Sequence, residues 1–184
     1  MENEQCEQKM DYKHIQCKQK VKEACATYKP IQVMLHQLNK LGCTINKKNL
    51  LCEPCEKKLL GGFDPINKEV FICENNLSSQ KKLNSILTHE LIHAFDVCRA
   101  KYIHSNLDHT ACSEIRAANL SEDCSFLNEV FEMNFRLKSH KQTCVKRKAT
   151  KSLMTAHNID LYKASAHVEK VFQECYNDHT PFRS

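Results

Sequence analysis

The stretch Thr88-His89-Glu90-Leu91-Ile92-His93-Ala94-Phe95-Asp96 holds the spacing H-E-x-x-H. On a helix, residues four apart sit about 40° apart around the axis and about 6 Å along it. His89 and His93 can therefore reach one metal ion. Zinc suits two imidazoles, a third protein donor and an open position, and it brings the pKa of a bound water toward neutrality. Glu90, beside the first histidine, is placed to take the water's proton and pass it to a leaving amine. The plainer reading is a helix with two exposed histidines and an incidental glutamate. The surroundings speak against it. No Gly or Pro occurs from Ser78 to Lys101, and Leu83, Ile86, Leu87, Leu91, Ala94 and Phe95 recur at three- and four-residue steps. Ser78 or Ser79 can cap the start. The motif is thus expected inside a long, mostly buried helix.

The longer pattern H-E-x-x-H-x-x-G-x-x-H is absent, because Asp96 and Arg99 stand where its Gly and third His would be. A third ligand must come from elsewhere. Glu114, in Glu114-Ile115-Arg116-Ala117-Ala118-Asn119, is the preferred choice: it lies on a second helix whose small residues allow a close approach to the first. Asp96 shares a face with His93 and is either a rival ligand or a support for one. His109, and more loosely His104, are further rivals. The bland alternative makes Glu114 a surface carboxylate paired with Arg116 or a lysine. His14, His36, His140, His157, His167 and His179 have no ligand spacing and read as surface or satisfied groups.

Twelve cysteines are dispersed over the 184 residues, and only Cys52-Glu-Pro-Cys55 has zinc-knuckle spacing. Dispersed cysteines in even number suggest disulfides and an oxidising compartment. The start Met1-Glu-Asn-Glu-Gln5 lacks the apolar core of a secretory signal. The mitochondrial intermembrane space, which traps small Cys-rich proteins by oxidation, reconciles the two. No apolar run approaches the ~18 residues of a membrane helix. The net charge of +5 is mild. The run Arg136, Lys138, Lys141, Lys146, Arg147, Lys148 and Lys151 reads as a solvated helix face, with attachment to anionic lipid as the functional alternative. No nucleic-acid motif accompanies it.

Residues 1–28 form a polar, Cys-containing arm, expected to be loosely ordered or partly helical and stapled to the body. Residues 29–184 form one domain. A helix from Lys29-Pro30 to Leu41, ended by Gly42, carries the stripe Ile31, Met34, Leu35, Leu38 and Leu41. Short strands are expected at 44–45, 50–52, 59–60 and 70–73, with a turn over Gly61–Asn67. The strand at 70–73, just before the metal helix, can flank the cleft and pair at its edge with an extended substrate, and the Gly61-Gly62 loop either lines that cleft or is a plain surface hairpin. Helices follow at 113–120, from Ser125 to Leu137, at 141–156, and from Asn158 or Asp160 with Leu161, Ala164, Val168, Val171 and Phe172 inward. The expected class is α+β, a zincin-like metallopeptidase that is mostly helical with a small sheet before the H-E-x-x-H helix.

Several blocks occur in a telling order: Gly61-Gly62-Phe63-Asp64, Cys73-Glu74-Asn75-Asn76, Thr88–Asp96 with Cys98-Arg99, Ala111–Leu120, Asp123-Cys124-Ser125, Gln142-Thr143-Cys144-Val145, and Cys175–His179 with Pro181-Phe182. Over about residues 30–183 the chain resembles the family of mitochondrial inner-membrane metalloproteases that mature and help assemble ATP synthase. The resemblance implies a zinc endopeptidase, peripheral on the intermembrane-space side of the inner membrane. It implies that the partner is the precursor of subunit a; that no nucleic acid is expected follows instead from the basic run, which has few interleaved aromatics and no binding motif. It also implies a chaperone role in assembly that is separate from proteolysis. A non-proteolytic chaperone and a nuclear zinc protease linked to DNA repair are the alternatives.

Overall fold

The computed structural model describes residues 2–56, 59–124 and 137–182, and the helix expected from Ser125 falls on residues outside these. The chain forms two compact units, Met1–Phe95 and Asp96–Ser184. The described residues are mostly helical with one three-stranded sheet, an α+β arrangement.

The first unit opens with α1, Glu2–Thr27. Of the two expectations for this arm the helical one holds, and the loosely ordered one does not. Cys17, Val21 and Ala24 fall at i, i+4 and i+7 and are all buried. That stripe is too narrow to stand out in a Lys-, Glu- and Gln-rich sequence. A Cys17–Cys52 disulfide fastens it to the first strand. Helix α2, Lys29–Lys40, takes Pro30 in its first turn and buries Ile31, Met34 and Leu38, whereas Leu41 is exposed. Gly42, at φ +74°, ends it. The Gly42 N–H donates to Asn39 O at 3.0 Å and the Cys43 N–H to Leu38 O at 2.9 Å, which closes the last turn.

The sheet has the order β1-β3-β2, with β1 Leu50–Glu53, β2 Gly61–Asp64 and β3 Glu69–Cys73. β1 runs parallel to β3 and β2 antiparallel. The strand at 44–45 and that at 59–60 do not form, and Gly61–Asp64 is a strand, not the turn expected. Its glycines are there for close approach. A Cβ on Gly61 would lie 2.8 Å from the Phe71 carbonyl oxygen and 2.9 Å from Ile86, and one on Gly62 would enter the Phe71 ring at 2.5 Å. The turn proper is confined to residues 65–68. Cys55–Cys73 is a second disulfide of this unit, and Cys43 is also disulfide-bonded.

Helix α3, Gln80–Arg99, begins where the Ser79 hydroxyl accepts the Lys82 N–H at 3.1 Å. Leu83, Leu87, Leu91 and Ala94 are fully buried along one stripe, which fixes the helix's rotation.

The second unit takes the last turn of α3, then α4 Leu107–Leu120, α5 Leu137–His157 and α6 Leu161–Asn177. Helix α4 starts a turn and a half earlier than expected, because Asn106 caps it, accepting the Asp108 N–H at 3.0 Å. Ile115, Val145, Leu153, Val168 and Phe172 centre its core. Leu161, expected inward, is 63% exposed; the turn from Asp160 points it out. Disulfides Cys112–Cys175 and Cys124–Cys144 cross-link the unit, and Cys98 is disulfide-bonded as well.

Candidate metal centre

The buried stripe of α3 leaves His89 and His93 together on one side, both half-buried, with ring centroids 4.8 Å apart and the rings edge-on at 73°. Glu90 is buried between them in sequence, at 9% exposure. Glu114, half-buried, stands on α4. One potential ligand atom from each of His89, His93 and Glu114 lies within 4.8 Å of the other two, and among the described residues this is the group able to hold a metal. Two imidazoles and a carboxylate are donors that zinc accepts, and three ligands leave a coordination position open. The donor set therefore fits the ion expected from the sequence.

Asp96 and His109 do not join that group. Both oxygens of Asp96 accept from the Arg116 Nε–H, at 3.0 and 3.1 Å, and Arg99 Nε lies 2.9 Å from one of them. His109 turns its Nδ1 to accept the Ile103 N–H at 3.1 Å.

A polar cluster lies one turn before Glu114 on α4. The buried Thr110 hydroxyl donates to His104 O at 3.2 Å and accepts from the Tyr102 hydroxyl at 3.2 Å. His157 Nε2 lies 3.2 Å from the same oxygen, and its ring stacks on His104. Burial raises the Tyr102 pKa, a rise the Thr110 hydrogen bond opposes and the negative charges of Glu114 and Asp96 support. The His157 pKa is lowered by burial first and by His104 second, against the pull of Glu114.

Arg116 is the buried group the sequence did not single out. Its side chain is fully buried, and it reaches Asp96, the backbone oxygens of Asp178 and Thr180 at 2.6 Å each, and the Asp178 carboxylate at 2.6 Å. Its only sequence signal is an arginine set among Ile115, Ala117 and Ala118. The alternative that paired it with Glu114 does not hold for its guanidinium, whose partners are Asp96, Asp178 and Thr180. Of the unassigned histidines, His14 pairs with Glu74 at 2.7 Å, His167 with Asp108 at 2.6 Å and His179 with Asn177 O at 2.8 Å. In the basic run, Lys146 pairs with Glu169 at 2.6 Å and Lys148 with Asp123 at 3.4 Å, so part of that face is neutralised by neighbouring elements.

The comparison with known families makes this chain a peptidase. Residues 15–183 match the Peptidase M76 family, and the chain belongs to that family. The match starts within α1, earlier than the resemblance read from the motifs. The human mitochondrial inner membrane protease ATP23 homolog is 43% identical over 168 residues, covering 90% of this chain and 68% of the human protein. The Danio rerio homolog is 42% identical, covering 93% and 68%. The Schizosaccharomyces pombe mitochondrial inner membrane protease atp23 is 38% identical, covering 89% and 90%. No solved structure matches the chain.

Proposed function

We propose that this protein is a zinc-dependent endopeptidase with a zincin-like site, in which His89, His93 and Glu114 hold the ion and Glu90 is the general base. The approach of those three side chains to within 4.8 Å carries the reading. When bound, zinc supplies a Lewis acid that polarises the scissile carbonyl. Glu90 orients the attacking water, takes its proton and delivers it to the leaving amine. Burial of Glu90 keeps competing water from the carboxylate. The strand at 70–73 cannot offer the edge expected of it, because β3 is paired with β1 on one side and β2 on the other; among the described strands β2 keeps one side unpaired. Because Gly61 packs against Ile86, one turn before Glu90, that edge lies where an extended substrate could add as a strand.

The substrate proposed is the precursor of ATP synthase subunit a, cut at the intermembrane-space face of the mitochondrial inner membrane with the enzyme attached peripherally. Three observations support this setting. The relatives bear the name of mitochondrial inner membrane proteases. The disulfides suit an oxidising compartment and disfavour a nuclear one. No helix of the described residues is long and apolar enough to cross a membrane.

Glu90→Gln tests the assignment. Glutamine is nearly isosteric but is no base at neutral pH, so zinc and fold persist while hydrolysis falls about 10²–10⁴-fold. In cells carrying only this variant, the precursor should remain uncut. Normal processing there would sink the enzyme reading. ATP synthase assembled despite uncut precursor would add a separate chaperone role, and failed assembly would make cleavage the requirement.

A further inference from the structure

We infer that the C-terminal segment Cys175–Thr180 is a positioning strap for the helix that carries Glu114. The inference rests on the ligand assignment above. Three residues of α4 hold the strap: Cys112, Arg116 and Asn119. They fall at i, i+4 and i+7 and so share one face. Cys112 is disulfide-bonded to Cys175. The Asn119 Nδ2–H donates to Tyr176 O at 2.9 Å. Arg116 donates to Asp178 O and Thr180 O, both at 2.6 Å. Glu114 is two residues from Arg116, about 200° around the axis, so the carboxylate leaves the helix on the other side.

The same guanidinium fastens a second element. Its Nε–H reaches Asp96, three residues beyond His93 on α3. Arg99, also on α3, adds its own hold on the strap, to the Asp178 carboxylate and the Thr180 hydroxyl at 2.7 Å each. Both helices that bear ligand residues are therefore tied to one short stretch of chain. Arg116 is always charged and fully buried, so its contacts cannot be exchanged for water without cost. Metal ligands need their supports fixed to a fraction of an ångström. Slackening the strap should loosen the hold on the ion before it unfolds the chain. Arg116, Asp178 and Thr180 are positioning residues, since none is itself a ligand.

The test uses the full chain with three changes: truncation after Asn177, the double variant Asp178→Asn/Thr180→Ala, and Val168→Ala in the core as a destabilised control. Zinc affinity is read by competition with a chromophoric chelator. The geometry of the site is read from the visible spectrum of the cobalt(II) form. The double variant should bind zinc about 10–100-fold more weakly and show an altered cobalt spectrum. Val168→Ala should lower the thermal midpoint and change neither. If the truncated chain does not fold, the double variant still decides, because it removes the Asp178 carboxylate that both Arg116 and Arg99 hold and the Thr180 hydroxyl that Arg99 holds. Wild-type zinc affinity and cobalt spectrum in the double variant would overturn the strap. So would an equal zinc loss in Val168→Ala, since stability alone would then explain it. The ligand assignment is checked separately by His93→Ala: full zinc in that variant refutes the assignment and removes the strap's purpose.

Discussion

A buried guanidinium must have a partner for each direction in which it donates, and Arg116 meets that demand with Asp96 on one side and the Asp178–Thr180 backbone on the other. Asp178 is where this has a pH signature. Burial would raise its pKa. The Thr180 hydroxyl, Arg99, the Thr180 N–H and the Arg116 charge together outweigh burial and hold it at about 2, below the ordinary 3.8. A carboxyl with a depressed folded pKa contributes stability that is complete above its unfolded value and is lost as the pH falls toward the folded one. The wild type should therefore lose stability between about pH 4 and about pH 2 more steeply than Asp178→Asn. Urea midpoints taken across that window check it, and parallel curves for the two proteins would remove Asp178 from the account. At this scale the spacing of His89, Glu90 and His93 was legible because it depends on one helix. The partners of Arg116 were not, since Asp96 lies 20 residues back and the Asp178 and Thr180 oxygens 62 and 64 residues further along the chain.

Elements show the same division between local and distant causes. Helices α2 and α3 follow from Pro30, Gly42, Ser79 and an apolar stripe, all local signals. β2 was misread because Gly61-Gly62 usually marks a turn, while here the glycines answer to Phe71 on the paired strand and to Ile86 on the helix beyond it. Helix α1 was legible only as one of two alternatives, for the opposite reason: its buried residues number too few to announce a packed helix. That weakness predicts how it behaves. With only Cys17, Val21 and Ala24 buried in the span whose side chains are described, α1 depends on the Cys17–Cys52 bond to stay docked on β1. Removing both sulfurs in Cys17→Ser/Cys52→Ser should let α1 open locally, with the rest of the fold intact. Trypsin should then cut at Lys13 and Lys18, both exposed, much faster than in the wild type, while the sites in α4 and α5 stay protected. Equal cleavage rates for the two proteins would mean that packing alone holds α1.

For the whole molecule the disulfides decide where it can work. Each unit has two assigned bonds, Cys17–Cys52 and Cys55–Cys73 in the first and Cys112–Cys175 and Cys124–Cys144 in the second, with Cys43 and Cys98 also bonded. Closing loops of 18 to 63 residues by such bonds contributes on the order of 3–4 kcal/mol each in the chain-entropy picture, a large share of a domain's total stability. A protein built this way is poorly matched to a reducing space. Cys25 is a free thiol, half-buried, and burial raises its pKa against the opposing charge of Lys47, so it should react slowly in the native state. Alkylation of denatured, non-reduced protein taken directly from its cell should therefore label Cys25 and spare those ten cysteines. Peptide mapping by mass reads each site. Label on Cys112 and Cys175 in that sample would show that the protein works reduced. The intermembrane-space setting would then fall, and with it the anchor at the root of the strap.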